Sequence, residues 1–131
     1  MRKMLNKKGF SLVELMIVVV IMGILIAVAI PLYGAITKNA NNKTCASNIK
    51  TIKNNAANYY ASYDQQTADE TALLSMMEGK VAPRCPIDKT KAYKVLIAAD
   101  GSATVQCPNV GTDGHAPEGS GTATDGFDLS E

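Results

Sequence analysis

Apolar positions crowd into one end of the chain. From residue 10 to residue 30 nearly every side chain is apolar, broken only by Ser11, Glu14 and Gly23. Wound as a helix, 21 residues span roughly 30 Å, the thickness of a bilayer core. A helix that is apolar on every face is not the amphipathic helix that packs on a small domain. Pro31 follows, and without a backbone N–H it predicts a kink or loosening near residues 27–31. Helical spacing then returns. Cys45, Ile49, Ile52, Ala56, Tyr59 and Tyr63 recur at steps of 4, 3, 4, 3 and 4, which is one stripe of a helix. The pattern predicts one helix from about residue 10 to residue 62. Residues 10–30 form its apolar part, and residues 31–62 an amphipathic continuation. The Asn-rich stretch 39–42 is its weak point.

Beyond residue 62 the periods shorten. Residues 63–66 read as a turn, and Thr67 to Glu70 fits a capping box ahead of Leu73, Leu74, Met76 and Met77, with Gly79 as the stop. Residues 92–98 alternate as a strand with Tyr93, Val95 and Ile97 on one face; Asp100-Gly101 signals a hairpin turn; residues 103–107 return. A two-stranded hairpin needs a surface to pack on, and the amphipathic helix supplies it. The expected fold is α+β: a long N-terminal helix packed on a head, residues 63–107, with a short helix and a β-hairpin. Residues 108–131, rich in Gly, Asp, Ser and Thr, read as a loop or loosely docked tail.

Charge sharpens the picture at the start. Arg2, Lys3, Lys7 and Lys8 precede the apolar run with no acid among them, so this flank is expected on the cytoplasmic side and the head outside. The whole chain carries +1; removing residues 1–9 would leave nine basic and twelve acidic residues, a charge of −3. The basic residues of the helix and head therefore read as a solvated face, and strong nucleic-acid binding is not expected. Glu14 is the one ionisable group inside the apolar run, where an acid is costly and finds a cation. A new amino terminus at Phe10 would lie one helical turn away. An ordinary secretory signal, cut after Ala27-Val28-Ala29, competes with this reading, but the run is long for one and Glu14 and Ile30-Pro31 fit it poorly.

Lys7-Lys8-Gly9-Phe10-Ser11-Leu12-Val13-Glu14-Leu15, followed by the apolar helix and Pro31, resembles the class III signal of type IV prepilins and pseudopilins. The close match runs over roughly residues 6–35. The resemblance implies that a prepilin peptidase cuts between Gly9 and Phe10 and methylates the amine of Phe10. It implies that Glu14 neutralises the amine of an adjacent Phe10 and sets register as subunits join a homopolymer on a pilus assembly platform. The location implied is a single-pass cytoplasmic-membrane protein before assembly, then an extracellular filament. Alternatives are a membrane-anchored monomeric binding protein, or the major pseudopilin of a type II secretion system or DNA-uptake pilus.

Three cysteines remain. Cys85 and Cys107 flank the predicted hairpin, so a disulfide between them is geometrically natural, closing about 22 residues for roughly 3 kcal/mol. Cys45 on the helix stripe then stays a buried thiol; a bridge from Cys45 to either partner is the rival. With a single histidine and no CxxC spacing, neither metal nor cofactor is expected, and His115 reads as a solvated loop residue. Asp113, Glu118, Asp125 and Asp128 lack calcium-loop spacing and read as solvated. No nucleophile, base or triad is apparent, so an enzyme is not expected.

Overall fold

The computed structural model describes residues 9–63 and 68–130. The basic leader side chains, most of the turn expected after residue 62, and Thr67 lie outside the described residues. The elements in chain order are helix α1 (Leu12–Ser62), helix α2 (Glu70–Ser75), and strands β1 (Tyr93–Ile97), β2 (Ala103–Gln106) and β3 (Phe127–Leu129). Short 3-10 turns at Glu78–Lys80 and Thr112–Gly114 sit between them. The chain falls into two compact units, one ending at Ile36 and one beginning at Thr37.

In the first unit α1 begins with a reciprocal cap. The Ser11 N–H donates to the Glu14 carboxylate at 2.9 Å, and the Glu14 N–H donates to the Ser11 hydroxyl at 3.2 Å. Two of the donors that a helix start leaves unpaired are thereby satisfied. Helical geometry continues through Pro31. The described side chains of this unit are exposed, from 49 % at Val18 to 87 % at Phe10 among the large apolar ones. Among the described residues α1 is the one helix long and apolar enough to cross a membrane.

In the second unit the stripe predicted from spacing turns inward. Cys45, Ile49, Ile52 and Ala56 are buried, Tyr59 is half-buried, and Tyr63 stacks on Tyr59 with ring centroids 4.5 Å apart. Cys45, Ile49, Ile52 and Ala56 meet Leu73, Met77, Ala82, Cys85, Tyr93, Val95, Val105, Cys107 and Leu129 in one core, and Tyr63 stays exposed. Helix α2 is capped by Asp69, whose carboxylate accepts the Ala72 N–H at 2.8 Å. The Asp69 cap, one residue before Glu70, sets the start of α2 two residues later than a Thr67 cap would.

The hairpin forms as predicted, with Val95 opposite Val105. Its turn rests on α1: the Tyr60 hydroxyl donates to the Ala99 carbonyl at 2.9 Å, and Gly101, at φ +83°, lies so close to the Tyr60 ring that a Cβ would overlap it. Only glycine meets both demands cheaply.

The sheet has three strands, not two. Its order is β2-β1-β3, all antiparallel, because residues 127–129 of the segment expected as a loop or tail pair with β1, placing Leu129 opposite Tyr93 and Phe127 opposite Val95. Gly126 permits this approach, since a Cβ there would strike the Val95 carbonyl. The strand end is held by Glu70, which accepts from the Ser130 N–H at 2.9 Å and its hydroxyl at 2.7 Å, and by the Arg84 guanidinium, which donates to the Ser130 carbonyl. Three residues are too few to show alternation, so β3 left no period in the sequence.

Candidate functional site

The first unit presents the expected processing and assembly residues side by side. Gly9 and Phe10 lie exposed just ahead of α1, and nothing crowds Gly9 within 4 Å of where a Cβ would stand. Glu14 lies in the first turn of the helix, engaged with Ser11. Its position in the apolar run pointed to a cation partner or to a solvated place near the interface. The Ser-x-x-Glu signature at residues 11–14 was available in the sequence and identifies the cap as well.

In the second unit Cys85 and Cys107 are brought together, as the hairpin predicted, but not as a disulfide. Their sulfurs stand 3.7 Å apart, where a disulfide needs about 2.05 Å, and all three cysteines are free thiols. The reason is that two further side chains converge on the same point. Cys45 Sγ lies 3.1 Å from Cys85 Sγ and 3.6 Å from Cys107 Sγ. His115 Nε2 lies 3.2, 3.7 and 3.4 Å from the sulfurs of Cys45, Cys85 and Cys107. His115 is 1 % exposed and belongs to the interior, contrary to its expected place in a solvated loop.

Four separate elements deliver this cluster. Cys45 comes from the buried stripe of α1. Cys85 comes from the loop before β1, Cys107 from the residue after β2, and His115 from the end of the 3-10 turn at Thr112–Gly114. Tyr93, fully buried on β1, donates its hydroxyl to Cys45 Sγ at 3.0 Å, and Asn48 donates to the Tyr93 oxygen at 3.3 Å. Backbone N–H groups of Ile87 and Asn109 point at the sulfurs of Cys85 and Cys107, each two residues back.

The electrostatics follow from burial. Desolvation pushes the Cys45 thiol and the Tyr93 phenol far above their ordinary values. It also raises Cys107, and it lowers His115. Burial acts on Cys85 in the same sense, but the polar groups around it, the Asn109 side chain, the Cys45 and Cys107 thiols and the Ile87 N–H, outweigh it and bring this thiol below its ordinary value. Three sulfurs and one imidazole nitrogen within 4.8 Å of one another are a set of donors suited to a metal ion, and among the described residues no other such group of His, Cys, Asp and Glu is present. Asp113, Glu118, Asp125 and Asp128 are all exposed and take no part in it. The signals that could have revealed the cluster are the repeated Cys-Pro steps at 85–86 and 107–108 and the placement of Cys45 on the buried stripe. Nothing local marks His115.

Comparison with known proteins bears on the first unit most directly. Residues 4–30 match the family described as the prokaryotic N-terminal methylation motif. The chain is 40 % identical over 96 residues to the type IV major fimbrial protein FimA of Dichelobacter nodosus, covering 73 % of this chain and 49 % of that protein. It is 33 % identical over 106 residues to a fimbrial protein of Pseudomonas aeruginosa, covering 76 % and 58 %. Against the type IV narrow pilus major component PilA5 of Thermus thermophilus the identity is 28 % over 109 residues, covering 79 % and 80 %. The chain thus spans about half the length of the first two relatives. No solved structure matches it. By name these relatives are fimbrial proteins and a pilus component. With the methylation motif lying across the exposed apolar start of α1, the chain resembles the type IV pilin and fimbrial proteins and matches a pilin-like structural subunit.

Proposed function

We propose that the chain is the repeating subunit of a type IV pilus-like filament. A prepilin peptidase cuts between Gly9 and Phe10 and methylates the Phe10 amine. The subunit waits in the cytoplasmic membrane, anchored by residues 10–30 with its head outside, and an assembly platform then adds it to the polymer. The observation that carries this reading is the state of the methylation-motif helix: in its most apolar window no residue is buried within the subunit. At about 25 cal/mol per Å², that surface must be covered by lipid before assembly and by like helices after it. Within this helix Pro31 lacks a backbone N–H and is a soft point.

Glu14 has two roles here. Its cap with Ser11 starts the helix, and its charge meets the Phe10 amine of a neighbour, setting axial register. An unpaired carboxylate in a hydrocarbon-like core costs several kcal/mol, whereas a paired one specifies position. The roles separate by substitution. Glu14→Gln can still accept the Ser11 N–H but carries no charge, and Glu14→Leu removes both functions. Both variants should insert and be cut at Gly9-Phe10, and both should fail to enter filament. Processed membrane subunit and sheared filament are compared by immunoblot, with mass spectrometry of the mature terminus. Wild-type filament yield from Glu14→Gln would reduce Glu14 to a helix cap and favour a membrane-anchored monomeric binding protein. A mature terminus other than Phe10 would overturn the pilin reading altogether.

A further inference from the structure

We propose that Cys45, Cys85, Cys107 and His115 bind one zinc ion, a closed structural site inside the head. This inference is independent of the filament reading. The six separations among the donors argue first. Zinc–sulfur bonds of about 2.3 Å and zinc–nitrogen bonds of about 2.0 Å at tetrahedral angles place two sulfurs about 3.8 Å apart and a sulfur about 3.5 Å from a nitrogen. The two sulfur pairs that include Cys107, at 3.6 and 3.7 Å, and the three sulfur–imidazole distances, at 3.2, 3.4 and 3.7 Å, lie near these edges. One edge, Cys45 to Cys85, is shorter at 3.1 Å.

A disulfide explains the same cluster poorly. It would join two of three mutually close sulfurs and leave the third thiol and a buried imidazole facing it. His115 directs Nε2 at the sulfurs, and its Nδ1 is buried without a hydrogen-bond partner among the described residues. A metal uses that Nε2 lone pair. The surroundings are also those a thiolate site needs. Two Cys-Pro-x steps each aim the N–H of the third residue at the sulfur of the first, and Tyr93 donates to the remaining sulfur. Such outer contacts orient the ligands and offset thiolate charge. Three sulfurs and an imidazole select a borderline-soft cation over calcium or magnesium. All four donors are at most 1 % exposed, so no position is left open for substrate, as in a structural site. Binding releases the three thiol protons to solvent, leaves a site of net charge −1, and involves no change of oxidation state.

The test uses the full chain, extracted from membranes in detergent with an alkylating agent present to fix the thiol state. Elemental analysis should find one zinc per chain, and peptide mapping without reductant should find no disulfide. Exchange with cobalt(II) should give the intense visible bands of a tetrahedral, sulfur-rich site. Cys45→Ala discriminates further: it should abolish zinc retention, whereas it would leave a Cys85–Cys107 disulfide untouched. His115→Ala should weaken binding of zinc(II) at least ~100-fold, the upper range for loss of a mere outer-shell partner. His115→Cys, which keeps four donors, should retain the ion even if the other variants fail to fold. A disulfide-linked peptide containing any two of the three cysteines would overturn the proposal. So would a chain whose titration with zinc(II) alone saturates no site.

Discussion

The two units of this chain treat apolar surface in opposite ways. From Phe10 to Ile36 the large side chains stand exposed, and a single acid interrupts them. From Thr37 the apolar groups are sparser along the chain, yet Ile49, Ile52, Leu73, Val95, Val105 and Leu129 are all at most 1 % exposed. In the proposed filament the first unit leaves its burial to other molecules; the second completes burial within itself and gathers reactive side chains at the centre. Mutations should therefore separate cleanly, with changes in the first unit altering assembly and changes in the second altering melting.

The largest effect is expected from Glu14→Gln. Filament should fall at least tenfold, since stranding one charge in a dry core costs several kcal/mol and each ~1.4 kcal/mol is tenfold. The melting of the head, followed by near-ultraviolet circular dichroism, should not move. A shift in that melting would break the separation. Next comes Leu129→Ala in β3. Deleting this buried side chain should cost about 2–5 kcal/mol and lower the head's Tm by roughly 10 °C or more, with membrane insertion and the Gly9-Phe10 cut unchanged. Gly101→Ala forces a Cβ toward the Tyr60 ring at positive φ and should cost about 1–3 kcal/mol by denaturant titration. The smallest effect is expected from Asp69→Ala, which removes the α2 cap for about 1 kcal/mol.

The same division governs what could be read without a structure. The apolar run, the cap-bearing first turn, the stripe from Cys45 to Ala56 and the hairpin about Asp100-Gly101 all rest on interactions between near neighbours. Their signals are short-range periods and turn residues, which a linear reading captures. The placement of Cys85 near Cys107 was equally legible, because one hairpin connects them. Whether the two sulfurs bond was not, because that depends on what else arrives.

By itself the sequence determined the kind of protein this is: a basic start, a Gly-Phe junction, an apolar helix with one acid, and an α+β head whose helix shows one buried stripe. Those properties depend on composition and on periods of two and of about 3.6 residues, and they survive any arrangement of the head. The tertiary structure alone decided that residues 127–129 complete the sheet and that His115 turns inward to face three sulfurs. Cys45 and His115 are 70 residues apart, and no local pattern couples them. They meet because the stripe of α1, both Cys-Pro turns and the C-terminal loop close over the same core, and closure over that distance is a property of packing rather than of any segment.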